Sequence, residues 1–206
     1  MTEESNAELK SLFDLDAKII FLGKTMLQGD IYPMDYLAGT VLNRSLSLVH
    51  GYNTLARSEN FLSAAHLIRP NLDTYLRFRA AWLVDDPHDF ATRIMNGEHI
   101  KKMKDRNGAK MTDAHLVACF KDDNPWIEST YEDASGFIHL SRQHALSSLR
   151  STPDGVMQGV ISRNDHFIPE SWKIEATKRI SLITMLICKF INSWIVTKNG
   201  GNRNED

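Results

Sequence analysis

The most constraining feature of this 206-residue sequence is an apolar stretch near its C-terminal end, residues 180–197. Large apolar side chains recur there at steps of three and one, which traces a stripe along one face of an α-helix. Lys189 and Asn192 interrupt the stretch, and a charge at the centre of a lone membrane span is costly. The pattern therefore predicts a buried core helix rather than a membrane span. The stripe consists of Ile180, Ile183, Leu186, Ile187, Phe190, Ile191 and Trp194.

Helical periodicity also predicts the elements that surround this core helix. A cap at Ser5 or Asn6 indicates the start of a first helix, and Pro33 suits the first turn of a second. Pro70 lies in the middle of the third segment, where it removes a hydrogen bond and is expected to kink the helix. The predicted helices cover residues 5–28, 33–57, 59–84, 87–104, 112–122, 125–144 and 169–197.

One region before the last helix interrupts the helical pattern. Residues 152–155 have the composition of a turn, and the alternating residues 156–160 resemble a short strand. A second turn at residues 162–165 leads into residues 166–168, so a small β-hairpin is expected in this region. We predict an all-α antiparallel bundle of five to seven helices with this one hairpin before the last helix.

Charge and cysteine content restrict the class of protein. The formal charge of −2 excludes a uniformly basic nucleic-acid-binding protein, although it leaves room for a local basic patch. Cys119 and Cys188 lie in apolar surroundings, so we predict two buried free thiols in a reducing compartment. The N-terminal residues are acidic and polar, unlike a secretory signal. We expect a cytoplasmic protein, with one helical domain over residues 1–198 and a flexible tail over residues 199–206.

Two stripes of polar residues on otherwise apolar helices are the main candidates for a functional site. On the third segment the polar residues recur at steps of three, four and four, and on the sixth at steps of four, four and three. Each set therefore shares one face of its helix. The first stripe comprises His66, Arg69, Asp73 and Arg77, and the second comprises Tyr131, Ser135, His139 and Arg142.

If the two stripes face each other, they form a partly buried polar cluster of Arg69, Asp73, Tyr131 and His139. One interpretation is a structural network in which Asp73 neutralises Arg69 or Arg77. The other is a ligand-binding or catalytic pocket, because arginines and a histidine beside a carboxylate suit phosphate chemistry. The sequence leaves both interpretations open.

Arg44 and His50 are a weaker candidate, an arginine and a histidine six positions apart on the second helix. At about 100° per residue, the two lie about 120° apart around the helix. The eight histidines include no H-x3-H pairing, and neither a C-x2-C pairing nor a Gly-rich phosphate loop occurs. We expect no metal site and no cofactor.

Two stretches resemble conserved segments of bacterial helical-bundle families. SAAHLIRPNLDTYLRF, residues 63–78, resembles a helix in which a small-residue start leads to Leu-x-Arg-Pro-x-x-Glu/Asp. YEDASGFIHLS, residues 131–141, resembles a Tyr-x-x-x-Ser-x-hydrophobic-hydrophobic-His-hydrophobic-Ser segment. These uncharacterised families look similar to the HEPN group and to abortive-infection proteins. By this resemblance, the candidate functional positions in this sequence are Arg69, Asp73, Tyr131, Ser135 and His139.

The resemblance implies a bacterial defence or toxin-type protein that acts on RNA or a nucleotide, and a homodimer is compatible with it. In such a protein His139 is the acid or base, and Tyr131 and Asp73 orient the reacting groups. The phosphate-binding positions that accompany them are Arg69, Arg77, Ser135 and Arg142.

Two further expectations follow. HEPN ribonucleases use an Arg-x4-6-His motif near the end of the bundle, whereas Arg44 and His50 lie early in this chain. We therefore predict that these two residues are not the active centre of a ribonuclease. The alternative to the whole enzymatic interpretation is a non-catalytic helical module that binds a protein partner or a small ligand, with the polar cluster fixing helix register.

Overall fold

The computed structural model describes residues 1–138, 148–165 and 167–201, which form a bundle of α-helices with one small β-hairpin. The predicted all-α fold is confirmed. Two 3-10 turns, Ala80–Trp82 and Ile100–Lys102, connect helices. The helices and strands are α1 (Glu3–Met26), α2 (Pro33–Arg57), α3 (Phe61–Ala65), α4 (Ile68–Arg79), α5 (Pro87–Met95), α6 (Asp113–Phe120), α7 (Trp126–Ile138), β1 (Leu149–Ser151), β2 (Met157–Gly159) and α8 (Glu170–Gly201).

Side chains cap the first two helices. Thr2 caps α1 by accepting a hydrogen bond from the Ser5 backbone N–H at 3.2 Å, so the predicted caps at Ser5 and Asn6 are wrong. Ser5 is buried inside the first turn, where it continues the helix. The start of α2 is as predicted, and the Asp35 carboxylate accepts a hydrogen bond from the Tyr32 N–H at 2.8 Å.

The third predicted segment is two helices instead of one kinked helix. The break falls at His66, the residue whose carbonyl would clash with the Pro70 ring in a continuous helix. Pro70 is instead the third residue of α4, where its missing N–H has no acceptor within the helix to lose. The Asn60 side chain caps the preceding helix, α3, by accepting from the Ser63 N–H at 3.3 Å.

Three other helix ends differ from the predicted boundaries or extend beyond what the structure describes. Gly97, at a φ of 89°, lies in the left-handed region just after α5 and marks its early end. α7 is described to Ile138, and its predicted continuation over residues 139–144 lies outside the described residues. α8 continues to Gly201, while residues 202–206 of the predicted tail are not among those described.

α8 is the central element of the bundle and packs against α1, α2 and α4. Its length and apolar composition would also allow it to cross a membrane. Half of its most apolar window is buried inside the protein, however, which is compatible with a soluble protein. Four residues of the predicted stripe are fully buried, namely Ile180, Ile183, Ile187 and Ile191.

A ladder of buried hydrogen bonds fixes the register of α2, α4 and α8. Ser45 Oγ on α2 donates to Asn71 Oδ1 on α4 at 3.0 Å. Asn71 Nδ2 donates to Thr184 Oγ1 on α8 at 3.0 Å, and Thr184 Oγ1 donates to the Ile180 carbonyl at 2.8 Å. Because these buried polar groups are paired, the ladder is compatible with the core. It also fixes the rotation of α4 about its axis, and hence which of its residues face outward.

The hairpin precedes the last helix, as predicted. β1 and β2 pair in antiparallel fashion with Leu149 opposite Gly159. The turn predicted at residues 152–155 connects them, and Gly155 adopts a φ of 81°, which favours glycine.

The segment after the second predicted turn does not form a strand. Ile168 lies in a bend and is buried, and His166 lies outside the described residues. The Asp165 carboxylate accepts from the Leu62 N–H at 2.7 Å, and the Asp165 N–H donates to the Glu59 carbonyl at 2.7 Å. These bonds attach the segment to the start of α3, so its backbone is not available for a strand ladder.

Candidate functional site

The polar cluster predicted from the two stripes is centred on Arg69, in the first turn of α4. Arg69 Nε donates to Asp73 Oδ1 at 3.1 Å, one turn further along the helix. Nη1 donates to Ser135 Oγ at 2.7 Å and to the Tyr131 carbonyl at 3.4 Å, both on α7. Nη2 lies 3.5 Å from Oδ2 of Asp113, the first residue of α6. Arg69 thus connects three helices.

Tyr131 and Ser135 enclose the Arg69 guanidinium. Arg69 Cζ lies 3.5 Å from the centroid of the Tyr131 ring, a cation–π contact. Ser135 Oγ accepts from Arg69 and donates to the Tyr131 carbonyl at 2.6 Å. The Arg69 side chain is only 9% exposed, and each of its three nitrogens has a partner. A ligand could reach it only by displacing those partners, so this geometry favours a structural role for Arg69.

The outer edge of the cluster is formed by Asp73, Asp113 and Arg77. Burial raises the pKa of Asp73 above its ordinary value, and the nearby Arg69 and Arg77 only partly offset this effect. Arg77 is exposed, and its Nη2 donates to Asp113 Oδ1 at 3.3 Å. This edge of the cluster is therefore accessible, although its carboxylates are paired.

A cavity of about 410 Å³ opens beside this edge, between α2, α4 and the segment that follows α5. We call it the α2–α4 cavity. Val41, Phe78 and Ile100 are among the residues that give it apolar walls, and polar and charged side chains line much of the rest. Its volume falls within the range of roughly 300–1,000 Å³ that is typical of small-molecule sites.

Arg44 lines the α2–α4 cavity from α2 and is held in one orientation. Its Nε donates to Thr74 Oγ1 at 2.9 Å, and Thr74 Oγ1 donates to the Pro70 carbonyl at 2.7 Å. Neither Nη atom has a hydrogen-bond partner within the described part of the chain. A guanidinium fixed at Nε with both Nη atoms available suits two-point binding of a phosphate or carboxylate.

Three cations and three carboxylates line the α2–α4 cavity, and two of the cations, Arg44 and Lys101, have no carboxylate partner among the described residues. Lys101 lines it as well, is exposed, and forms no ion pair with any described residue. Arg44 likewise has no carboxylate partner in the described ranges. Each carboxylate of the lining lies within 3.5 Å of an arginine nitrogen; these carboxylates belong to Asp73, Glu98 and Asp113.

The structure brings together part of the predicted site. Arg69, Asp73, Tyr131 and Ser135 are in contact, and Arg77 joins them through the carboxylate that it shares with Arg69. His139 and Arg142 lie outside the described residues. The convergence of His139 with the cluster therefore stays a prediction.

Arg44 and His50 lie on different sides of α2. Arg44 bonds to Thr74 of α4, whereas His50 lies near Asp16 of α1. Burial raises the pKa of Asp16, and the nearby His50 partly lowers it. Within one chain the two residues therefore do not point at a shared ligand. That they are not a ribonuclease centre stays a prediction.

Three residues at the site, Thr74, Lys101 and Asp113, do not stand out from the sequence pattern. Asp113 is the first residue of α6, directly after the capping residue Thr112, which accepts from the His115 N–H at 3.3 Å. The other two are placed by tertiary contacts between separate elements, and no local pattern indicates them.

A cysteine, a histidine and an aspartate meet at α6 without forming an activated nucleophile. His115 Nε2 lies 2.8 Å from Asp105 Oδ2 and 3.5 Å from Cys119 Sγ, so both partners contact the same ring nitrogen. A proton relay requires the two partners at different nitrogens. Partial desolvation and the nearby Asp105 also raise the pKa of the Cys119 thiol, which disfavours the reactive thiolate.

The prediction that both cysteines are buried is correct for only one of them. Cys188 is buried in α8, and this burial raises its pKa to about 11. Cys119 is exposed, because it lies on the solvent-facing side of the short helix α6. Both are free thiols.

Comparisons of the chain with protein-family models, with curated proteins and with solved structures find no match. The resemblance to the HEPN group and to abortive-infection proteins therefore rests on the two sequence stretches alone.

Proposed function

We propose that this protein is a non-catalytic helical module that binds a small phosphorylated ligand, such as a nucleotide, in the α2–α4 cavity. The observation that carries the proposal is the state of Arg44. Thr74 fixes its Nε, and its two Nη atoms have no partner among the residues that the structure describes. Lys101 provides a second cation in the same cavity, and together the two match the double charge of a phosphate monoester.

The apolar part of the cavity favours a ligand with a ring. Val41, Phe78 and Ile100 lie in the same lining as Arg44 and Lys101. A phosphate held by the two cations leaves the rest of a nucleotide to pack against this apolar wall. Such a division, with mostly apolar walls and a few polar groups that set orientation, is typical of small-molecule sites.

The Arg69 cluster supports binding rather than catalysis. Arg69, Tyr131 and Ser135 contact one another, and Arg69 has no nitrogen left for a phosphate. The cluster instead holds Asp73 and Asp113 at the cavity wall. In this proposal its role is to keep the wall of the binding site in place.

A second candidate is the catalytic one, a HEPN-like bacterial defence or toxin-type protein, as a homodimer, that acts on RNA or a nucleotide. The contact between Arg69 and Ser135 favours it, because the two belong to the two stretches that resemble those families. It requires His139 as acid or base. Cleavage of RNA or of a nucleotide by the parent protein, lost in His139→Ala with the fold retained, would establish this candidate over the binding module.

We also propose a cytoplasmic location. The support is the burial of half of the apolar window of α8 and the presence of two free thiols, which suit a reducing compartment.

Calorimetric titration with adenosine monophosphate tests the binding proposal. We expect saturable binding to the parent, and about tenfold to hundredfold weaker binding to Arg44→Met or Lys101→Met, because each loses a charge-assisted contact. Arg163→Met and Lys24→Met are matched controls, since both residues are exposed and lie outside the lining of the cavity. No binding to the parent, or an equal loss in the controls, would overturn the proposal.

A further inference from the structure

A second cavity, of about 330 Å³, lies between α3, α7 and α8 and shares no lining residue with the α2–α4 cavity. It exists because three alanines, Ala65, Ala134 and Ala176, face it where larger side chains would fill the space. Phe61 and Ile68 continue its apolar walls. An apolar cavity of about 150 Å³ accommodates benzene, so this cavity has room for a two-ring molecule.

One polar atom in this cavity has no partner. Thr130 is 4% exposed and lines the cavity, and its Oγ1 makes no hydrogen bond among the residues that the structure describes. Helical threonines elsewhere in the protein donate to the carbonyl four residues earlier, as Thr177 and Thr184 do at 2.8 Å. For Thr130 that carbonyl belongs to Trp126, and Ser129 Oγ donates to it instead, at 3.1 Å.

The unpaired hydroxyl is informative because buried polar atoms are almost always bonded. Four other buried side-chain atoms in the described ranges also lack a partner, but their residues line neither of the two large cavities. Of these five described residues, Thr130 is the one that also lines a large cavity.

The charges at the rim indicate which ligand the cavity would accept. Glu175 Oε1 accepts from Arg179 Nε at 2.7 Å, so this pair adds no net charge. Asp133, also in the lining, is exposed and forms no ion pair with a described residue. The rim therefore disfavours an anion, in contrast to the α2–α4 cavity. Trp172, 44% exposed, adds an aromatic surface to the lining.

We propose that this second cavity binds a neutral two-ring aromatic molecule whose single hydrogen-bonding group pairs with Thr130 Oγ1. The rings fill the space between the three alanines, and the Trp172 side chain packs against the exposed edge of the ligand. This site is independent of the phosphorylated ligand proposed above, so either proposal can fail alone.

Indole and 1-methylindole test the proposal, because they differ in the N–H that would donate to Thr130 Oγ1. Methyl spectra of the protein report binding through the Ala134 and Ala176 methyl groups. We expect saturable shifts of both with indole in the parent. Thr130→Val, which removes the hydroxyl at nearly constant shape, should weaken indole binding about threefold to tenfold. The same substitution should leave 1-methylindole binding unchanged.

Two further variants complete the experiment. Ala134→Leu fills the cavity and should abolish binding of both molecules. Thr197→Val removes a hydroxyl on the exposed side of α8 and should bind indole like the parent. The proposal is overturned if neither alanine methyl shifts up to the solubility limit of indole. Equal indole affinity of the parent and Thr130→Val would also overturn it, and that comparison stands even if Ala134→Leu does not fold.

Discussion

Arg69 belongs to α4 and Arg44 contacts this helix from α2, and the two differ in what their guanidinium nitrogens contact. Arg69 is 9% exposed in its side chain, and all three of its nitrogens have partners on α4, α6 and α7. Arg44 is exposed, and its one hydrogen bond to a described residue runs from Nε to Thr74. An arginine whose nitrogens are all paired serves the fold, whereas one fixed at a single nitrogen keeps its remaining donors for a ligand.

The electrostatic surroundings of the two arginines differ in the same way. Arg69 lies between two carboxylates, Asp73 and Asp113, at 3.1 and 3.5 Å. Arg44 has no carboxylate partner in the part of the chain that the structure describes. Removing a partner from a buried ion pair leaves an uncompensated charge, while removing an exposed, unpaired charge leaves none. Substitution of Arg69 should therefore lower the free energy of unfolding much more than substitution of Arg44.

The largest expected effect is the loss of stability in Arg69→Met. The substitution leaves Asp73 without its ion-pair partner and Asp113 with Arg77 alone, and it also removes the bond to Ser135. Breaking such a network costs about 3–5 kcal/mol. Urea denaturation measures the free energy of unfolding. Arg69→Lys is the matched control, because it keeps the charge but loses the fork, and it should fall between the variant and the parent. A loss below about 1 kcal/mol in Arg69→Met would contradict a structural role.

The loss of stability in Ile187→Ala is a reference value for the loss expected in Arg69→Met. Ile187 is fully buried in α8, so the truncation should cost about 2–5 kcal/mol. Leu182, on the same helix, is 37% exposed, and Leu182→Ala should cost clearly less. Melting temperatures of the two variants, measured without detergent, check this. An insoluble parent or an unchanged melting temperature in Ile187→Ala would show that α8 is not a core helix.

A smaller effect is expected in the pH dependence of Asp73→Asn. Burial raises the pKa of Asp73, so the native state retains this proton where the unfolded chain has lost it. The stability that Asp73 contributes is present below its unfolded pKa and is lost as the pH rises through its native pKa. Unfolding free energies of Asp73→Asn, minus those of the parent, should therefore increase as the pH rises above the unfolded pKa of Asp73. A decrease would mean that Arg69 outweighs burial.

The smallest expected effect is on the stability of Arg44→Met. Because Arg44 is exposed and Thr74 keeps its own bond to the Pro70 carbonyl, the free energy of unfolding should change by at most about 0.5 kcal/mol. The same variant is expected to lose ligand affinity, so the two measurements together separate a binding role of Arg44 from a structural one. A loss as large as that of Arg69→Met would make Arg44 part of the fold instead.

The sequence predicted the parts of the fold that depend on local pattern. The stripe on α8 was detectable because its residues recur at helical spacing, and the contact between Arg69 and Tyr131 followed from two polar faces on apolar helices. The break at His66 was missed because Pro70 can either kink a helix or sit in the first turn of a new one. The sequence around Pro70 is compatible with a kinked helix and with the start of a new helix.

Which arginine has all its nitrogens paired and which keeps free donors could not be predicted from local pattern. Whether Arg69 is enclosed depends on the acceptors that α6 and α7 bring to it, and Asp113 lies far from it in sequence. Whether Arg44 is fixed depends on Thr74, which is on another helix. Both properties depend on contacts between different helices, and helical periodicity in the sequence does not predict such contacts.

The most direct test compares the two arginines in one spectrum. Arginine Nε–H resonances of the parent would be assigned with Arg44→Lys and Arg69→Lys, then followed during titration with adenosine monophosphate. Because Arg44 Nε is hydrogen-bonded to Thr74 at 2.9 Å and Arg69 Nε to Asp73 at 3.1 Å, both should resist exchange with water. We predict that the Arg44 resonance shifts in a saturable manner while the Arg69 resonance stays in place. A shift of Arg69 with Arg44 unmoved would contradict the account.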